Sequence, residues 1–228
     1  MTIDIRTFAL AAIAGLAFGT VVAAQDEPDG LLNSLEVQQL VKRGEPEDHA
    51  RLTGHFRTLA DQYAREAQRH VAMSRSFAGN PNRSIGTGMS AHCKRLAELN
   101  TESAATMREL VGYHDKLATG AAATLPREAA RFEGGAGAPK PSEKELNALA
   151  AKANTPAEHR DLEEYFVTLA RKYTADAREH STWAQVYRGT RIAQAAVHHD
   201  RLATVARDAA REANEAAARH KQLAALPR

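Results

Sequence analysis

The sequence predicts an all-α fold, an up-down four-helix bundle built from two repeated antiparallel helical hairpins. Composition is the first ground: alanine and charged residues dominate the 228 residues, aromatics are only 5%, and glycine and proline are sparse outside two short stretches, a mixture that favours helix over sheet. Duplication is the second. "EDHARLTGHFRTLADQYAREAQRHVAMSRSF" aligns without a gap to "AEHRDLEEYFVTLARKYTADAREHSTWAQVY", 110 residues on, and "HCKRLAELNTESAATMRELVGYHDKLA" aligns to "HHDRLATVARDAAREANEAAARHKQLA", 106 residues on. A repeat of this kind is one supersecondary unit that buries its apolar face against its copy. Periodicity is the third: apolar residues recur at alternating steps of three and four, the spacing of helices packed along a seam.

Taken in order, residues 1–24 read as an export signal. Arg6 precedes the apolar run "FALAAIAGLAFGTVVAA", and Val22-Ala23-Ala24 supplies the small residues before Gln25 at which such signals are cut. The run is short for a membrane span, no cysteine follows it to carry a lipid, and the mature chain is expected in the periplasm or secreted, with no stable membrane span. Cys93 is the single cysteine, so no intrachain disulfide forms even in an oxidising compartment.

Residues 25–118 form the first hairpin, 119–141 a linker ending in "GGAGAPKP", and 142–228 the second hairpin. Thr155-Pro156-Ala157-Glu158 is a capping box with proline at the first helical position, and Glu45-Pro46-Glu47-Asp48 is a weaker version of it. Ser142 with Glu145 opens a short lead-in helix. The connection "AGNPNRSIGTG" in the first hairpin is four residues longer than its counterpart. The roughly 20-residue linker permits a monomer or a hairpin-swapped dimer.

In the first long helix the seam runs His49, Leu52, Phe56, Leu59, Tyr63, Glu66, His70, Met73, Phe77; its twin runs His159, Leu162, Phe166, Leu169, Tyr173, Asp176, His180, Trp183, Tyr187. In the second helices, His92, Leu96, Leu99, Ser103, Met107, Leu110 and His114 match His198, Leu202, Val205, Ala209, Ala213, Ala216 and His220. Eight of the ten histidines thus fall in four matched columns. Stacking the hairpins side by side would gather His70, His92, His180 and His198 into one layer and His49, His114, His159 and His220 into another, roughly 30 Å away. Burying four unliganded imidazoles together is unfavourable unless each finds a partner, and neutral imidazole is the commonest protein ligand for zinc, copper and nickel. The expectation is a metal-binding bundle for copper or zinc, used in sequestration, storage or delivery.

Glu66 and Asp176, one turn before His70 and His180, are expected either to join the ligands or to pair with an arginine such as Arg65 or Arg95. Cys93 and His199 stand beside the first histidines of their helices, with Met73 and Met89 nearby; Cys93 is either a ligand or a small packing residue. His55, replaced by Tyr165 in the second unit, is expected at the surface. No Cys-x-x-Cys-His motif is present for covalent haem, which leaves non-covalent bis-histidine haem b as an alternative cofactor, and a metal-free adaptor that binds a periplasmic partner protein as an alternative role. No phosphate loop, nucleophile elbow or His-Glu-x-x-His occurs, and a formal charge of +2 without basic tracts argues against nucleic acid.

Overall fold

A computed structural model describes residues 31–119 and 142–226, and these contain six helices. The expected export signal and most of the linker lie outside the described residues. The long helices are α2 (Pro46–Ala78), α3 (Arg83–Leu117), α5 (Pro156–Arg188) and α6 (Ala195–Ala224), and short helices α1 (Ser34–Arg43) and α4 (Glu143–Lys152) precede each hairpin. No described helix is long and apolar enough to cross a membrane.

Local chemistry fixes where the helices begin. Thr155 Oγ1 accepts from the Glu158 amide at 3.2 Å while Glu158 Oε2 accepts from the Thr155 amide at 2.9 Å, the reciprocal box its sequence implies. Ser142 and Glu145 repeat it for α4. Asn33 and Glu36 do so for α1, a helix that the long-helix alignment does not reach because it has no seam of its own length. Gly44 closes α1 in the left-handed conformation, φ 68°, which glycine adopts without strain.

Helix α3 starts earlier than the repeat suggests. The expected eleven-residue connection shrinks to 79–82, and residues 83–88 are helical. Gly86 explains this: a Cβ there would stand 2.6 Å from the Phe77 carbonyl oxygen, so only glycine lets the first turn of α3 press on the end of α2. Asn80, buried in the turn, donates from Nδ2 to the carbonyls of Ala150 and Ala153 at 3.2 Å, tying the turn to the end of α4.

Helices α2–α3 and α5–α6 form the two hairpins, and α3 lies along α6. The hairpins meet head to tail: His92 pairs with Glu212, Glu102 with Arg201, and Glu109 with His198, so α3 and α6 are antiparallel. Nine buried alanines on α6, among them Ala203, Ala206, Ala210 and Ala213, allow this close approach. Helices α2 and α5 are also antiparallel but meet through longer side chains, Tyr63 reaching Asp176 and His180. Each lead-in helix crosses to the other hairpin as well: α1 packs on α5 and α2, and α4 on α2 and α5.

The core divides accordingly. One end holds the start of α2, the end of α3, the end of α5 and the start of α6, around Phe56, Trp183 and Tyr187. The other holds the end of α2, the start of α3, the start of α5 and the end of α6, around Phe77, Met73, Met89 and Phe166. The first is called the tryptophan end below and the second the sulfur end.

Candidate metal centre

Head-to-tail packing overturns the predicted layers. His49 and His114 lie at the tryptophan end with His180 and His199, while His159 and His220 lie at the opposite end with His70 and His92. The side-by-side expectation treated the two hairpins as parallel copies; the Glu–His and Glu–Arg pairs between α3 and α6 require the reverse orientation. The eight matched histidines therefore form two mixed groups.

Within a hairpin the register is regular. His49 Nδ1 is 3.0 Å from His114 Nδ1, and His159 Nδ1 is 3.2 Å from His220 Nδ1. Twenty-one residues along each helix, three heptads, bring His180 opposite His199, whose rings stack at 5.5 Å. The same step brings His70 opposite Cys93, and Ser74 Oγ, in contact with the Ser90 carbonyl at 3.0 Å, marks that register. In each "His-Cys" or "His-His" dipeptide the second residue is thus the core residue. Cys93 and His199 are 0% exposed, whereas His92 and His198 are half-buried and point between α3 and α6. The sequence seam holds from Leu96 to His114 and from Leu202 to His220, and departs by one residue only at its first position, His92 and His198, because α3 and α6 each pack against two neighbours and the apolar face is wider than a single heptad stripe.

The two imidazole pairs differ in their third partner. His114 also contacts Tyr187 Oη through Nε2 at 2.8 Å. The arrangement that uses every hydrogen has Tyr187 donating to Nε2 and His114 Nδ1–H donating to His49. At the other pair Phe77 takes the place of Tyr187, and His220 Nε2 has no partner among the described residues. Burial lowers the basicity of all four imidazoles, His114 and His220 to about 3, so each pair is neutral at ordinary pH.

Elsewhere the core holds imidazole nitrogens with nothing to bond. Around Trp183 stand His55, His180 and His199, with ring centroids 5.7, 5.2 and 5.4 Å from it. His199 has neither nitrogen partnered, nor has His180 Nδ1 or His55 Nε2; the Leu32 amide donates to His55 Nδ1 at 3.1 Å. His55 is buried, not at the surface, because α1 and its preceding residues cover it. Burial pushes His55 and His180 down to about 4 and holds His199 well below the ordinary imidazole range. At the sulfur end His70 is 0% exposed; Nδ1 has no partner, and Nε2 lies 3.4 Å from Glu66 Oε1, a loose contact.

The seam acids pair locally, each with a cation on its own helix: Glu66 with Arg69 at 2.6 Å, and Asp176 with Lys172 at 2.7 Å. The expected partners Arg65 and Arg95 are not used; Arg65 is exposed on the opposite side of α2, and Arg95 pairs with Glu98.

Among the described residues, one group brings three ligand atoms of histidine, cysteine or acid within 4.8 Å of one another: His92, Glu212 and Glu215. His92 Nδ1 is 2.5 Å from Glu212 Oε1. Glu212 and Glu215 lie one turn apart on α6 and share the face turned toward α3. His92 was expected as a ligand; the two glutamates were missed. Their signal was an (i, i+3) acid pair, readable only once α6 is known to run antiparallel to α3. At the matched place in the other half Thr106 replaces Glu212, and His198 faces only Glu109, at 3.2 Å, which Arg201 approaches at 3.8 Å.

Two open surface grooves, about 830 and 400 Å³, run along the outer faces of α5–α6 and α2–α3, and no histidine lines either. No protein-family model matches the sequence, and comparison with curated proteins and with solved structures gives no match.

Proposed function

We propose that this protein binds transition-metal ions, zinc or copper, and serves to sequester, store or hand them on outside the cytoplasm. The observation that carries the reading is the convergence of His92, Glu212 and Glu215 within 4.8 Å across α3 and α6. One imidazole and two carboxylates from two rigid helices suit Zn²⁺, which takes nitrogen and oxygen donors at about 2.0–2.2 Å and leaves a fourth position to water or a delivered ligand. The half-buried setting of His92 and Glu212 gives an ion a path in and out, as a carrier needs.

Haem is less well supported, since His49–His114 and His159–His220 stand in hydrogen-bonding contact with no space for a porphyrin between them. The extracellular setting rests on Arg6 and the apolar run to Ala24.

Chelator-stripped full-length protein titrated with Co²⁺, read by its visible d–d absorption, tests the reading. The wild type should develop a saturable signal that Zn²⁺ displaces, and His92→Ala should lose it. Absence of any signal in the wild type, with unchanged helicity, leaves the adaptor role in its place.

A further inference from the structure

The two halves differ most where the register places His70 opposite Cys93. The equivalent pair at the tryptophan end is His180 and His199, in ring contact at 5.5 Å. One level further toward the hairpin turn, Met73 takes the place of Trp183, and Met89 faces it in the place of Ala195. Cys93, Met73, Met89 and His70 are each 0% exposed; the three sulfur residues belong to one core cluster, and His70 sits across from its cysteine. By register, one thiol, two thioethers and an imidazole stand at neighbouring levels of one buried stretch of core. Nδ1 of His70 has no partner, and Nε2 meets only Glu66 Oε1, at 3.4 Å, the independent sign that the group is short of a ligand.

We propose that the sulfur end holds a second, separate site that takes one Cu(I) ion, with Cys93, His70, Met73 and Met89 as its donors. Soft thiolate and thioether ligands select Cu(I) over harder divalent ions, and a water-free pocket favours a low-coordinate monovalent ion over Cu²⁺, which prefers nitrogen and oxygen in tetragonal array. Binding replaces the S–H bond of Cys93 by an S–Cu bond and sends the proton to solvent, with no change in oxidation state. Cys93 directly follows His92 on α3, so the two sites adjoin. The inference deepens the metal-binding reading but does not need the outer site.

The test is anaerobic titration of the full-length protein with Cu(I) against a chromophoric Cu(I) chelator, with proton release followed in weak buffer. The wild type should withdraw one Cu(I) and release one proton per ion. Cys93→Ser should weaken binding by more than about 100-fold and abolish proton release, while the volume-conserving pair Met73→Leu/Met89→Leu should weaken it by about 10–100-fold. Glu212→Gln should leave Cu(I) binding within a few-fold of the wild type while removing the Zn²⁺ or Co²⁺ site. Wild-type affinity in Cys93→Ser, with its melting curve unchanged, overturns the proposal; so does loss of Cu(I) in Glu212→Gln, which would put the ion at the outer donors. Cu(I) binding that persists when no divalent ion binds sinks the outer site and leaves this one standing.

Discussion

The two ends of the bundle descend from one hairpin design and have been filled with different chemistry. At the tryptophan end, Trp183, His55, His199 and Tyr187 make an aromatic cluster in which nearly every ring touches another. At the sulfur end the same positions carry Met73, Tyr165, Cys93 and Phe77. The outer pair differs in the same sense: His198 faces a single glutamate already approached by Arg201, whereas His92 faces two glutamates. One backbone register therefore supports two unlike donor sets, and the duplication lets each end serve as the control for the other.

The largest expected effect is acid lability, weighted toward the tryptophan end. In the unfolded chain the imidazoles titrate near 6.5; in the bundle burial holds His55 and His180 at about 4 and His114 and His220 at about 3. Above pH 6.5 neither state is protonated and these groups leave stability unchanged. Between 6.5 and about 4 the unfolded chain takes up protons that the native core refuses, so stability falls as pH falls. The slope is up to about 1.4 kcal/mol per pH unit for each group, or about 5 for four, against a total stability of about 5–15 kcal/mol. Urea unfolding at pH 7.5, 6 and 5 should show that decline. Replacing His55 and His180 with leucine should flatten it more than replacing His220 alone, and a profile insensitive to both replacements would contradict the burial of these rings.

Packing comes next. Trp183→Ala should destabilise by about 3–5 kcal/mol and Met73→Ala at the matched position by about 2–5, with the tryptophan change larger because three imidazoles rest on that ring. Equal small losses, under about 1 kcal/mol in chemical denaturation, would mean that the side chains are not in the core.

A reciprocal exchange sharpens the comparison further. Tyr187→Phe strands His114 Nε2 and should cost about 1–3 kcal/mol, whereas Phe77→Tyr offers His220 Nε2 its missing partner and should gain about 0.5–1.5. Opposite signs are expected, and matching signs would argue against the equivalence of the two pairs. Smallest of all is His198→Ala, which removes a half-exposed pair with Glu109 and should change stability by no more than about 1 kcal/mol.

Much of this architecture is legible in the chain because duplication and heptad spacing are local signals. The Thr155–Glu158 box, the lead-in at Ser142 and the seams through Phe56 and Phe166 all follow from nearest neighbours in sequence. The polarity of one hairpin against the other is not such a signal. It is set by the charges between α3 and α6 and by alanines that fit only at close approach, and those acquire meaning only in three dimensions. That is why three of the four histidine columns lie in the core while the layers built from them do not form, and why Glu212 and Glu215 went unnoticed opposite His92. His55 was misplaced for a related reason: the chain that covers it arrives from before α2, outside the repeat.

The most direct measurement is calorimetric titration of chelator-stripped protein with Zn²⁺, comparing the wild type, Glu212→Gln and His198→Ala. An ion should be bound by the wild type and by His198→Ala and lost from Glu212→Gln, because among the described residues only the sulfur end carries two glutamates beside its outer imidazole. Zinc binding that survives Glu212→Gln, or that fails in all three proteins while their helices stay intact, would contradict it.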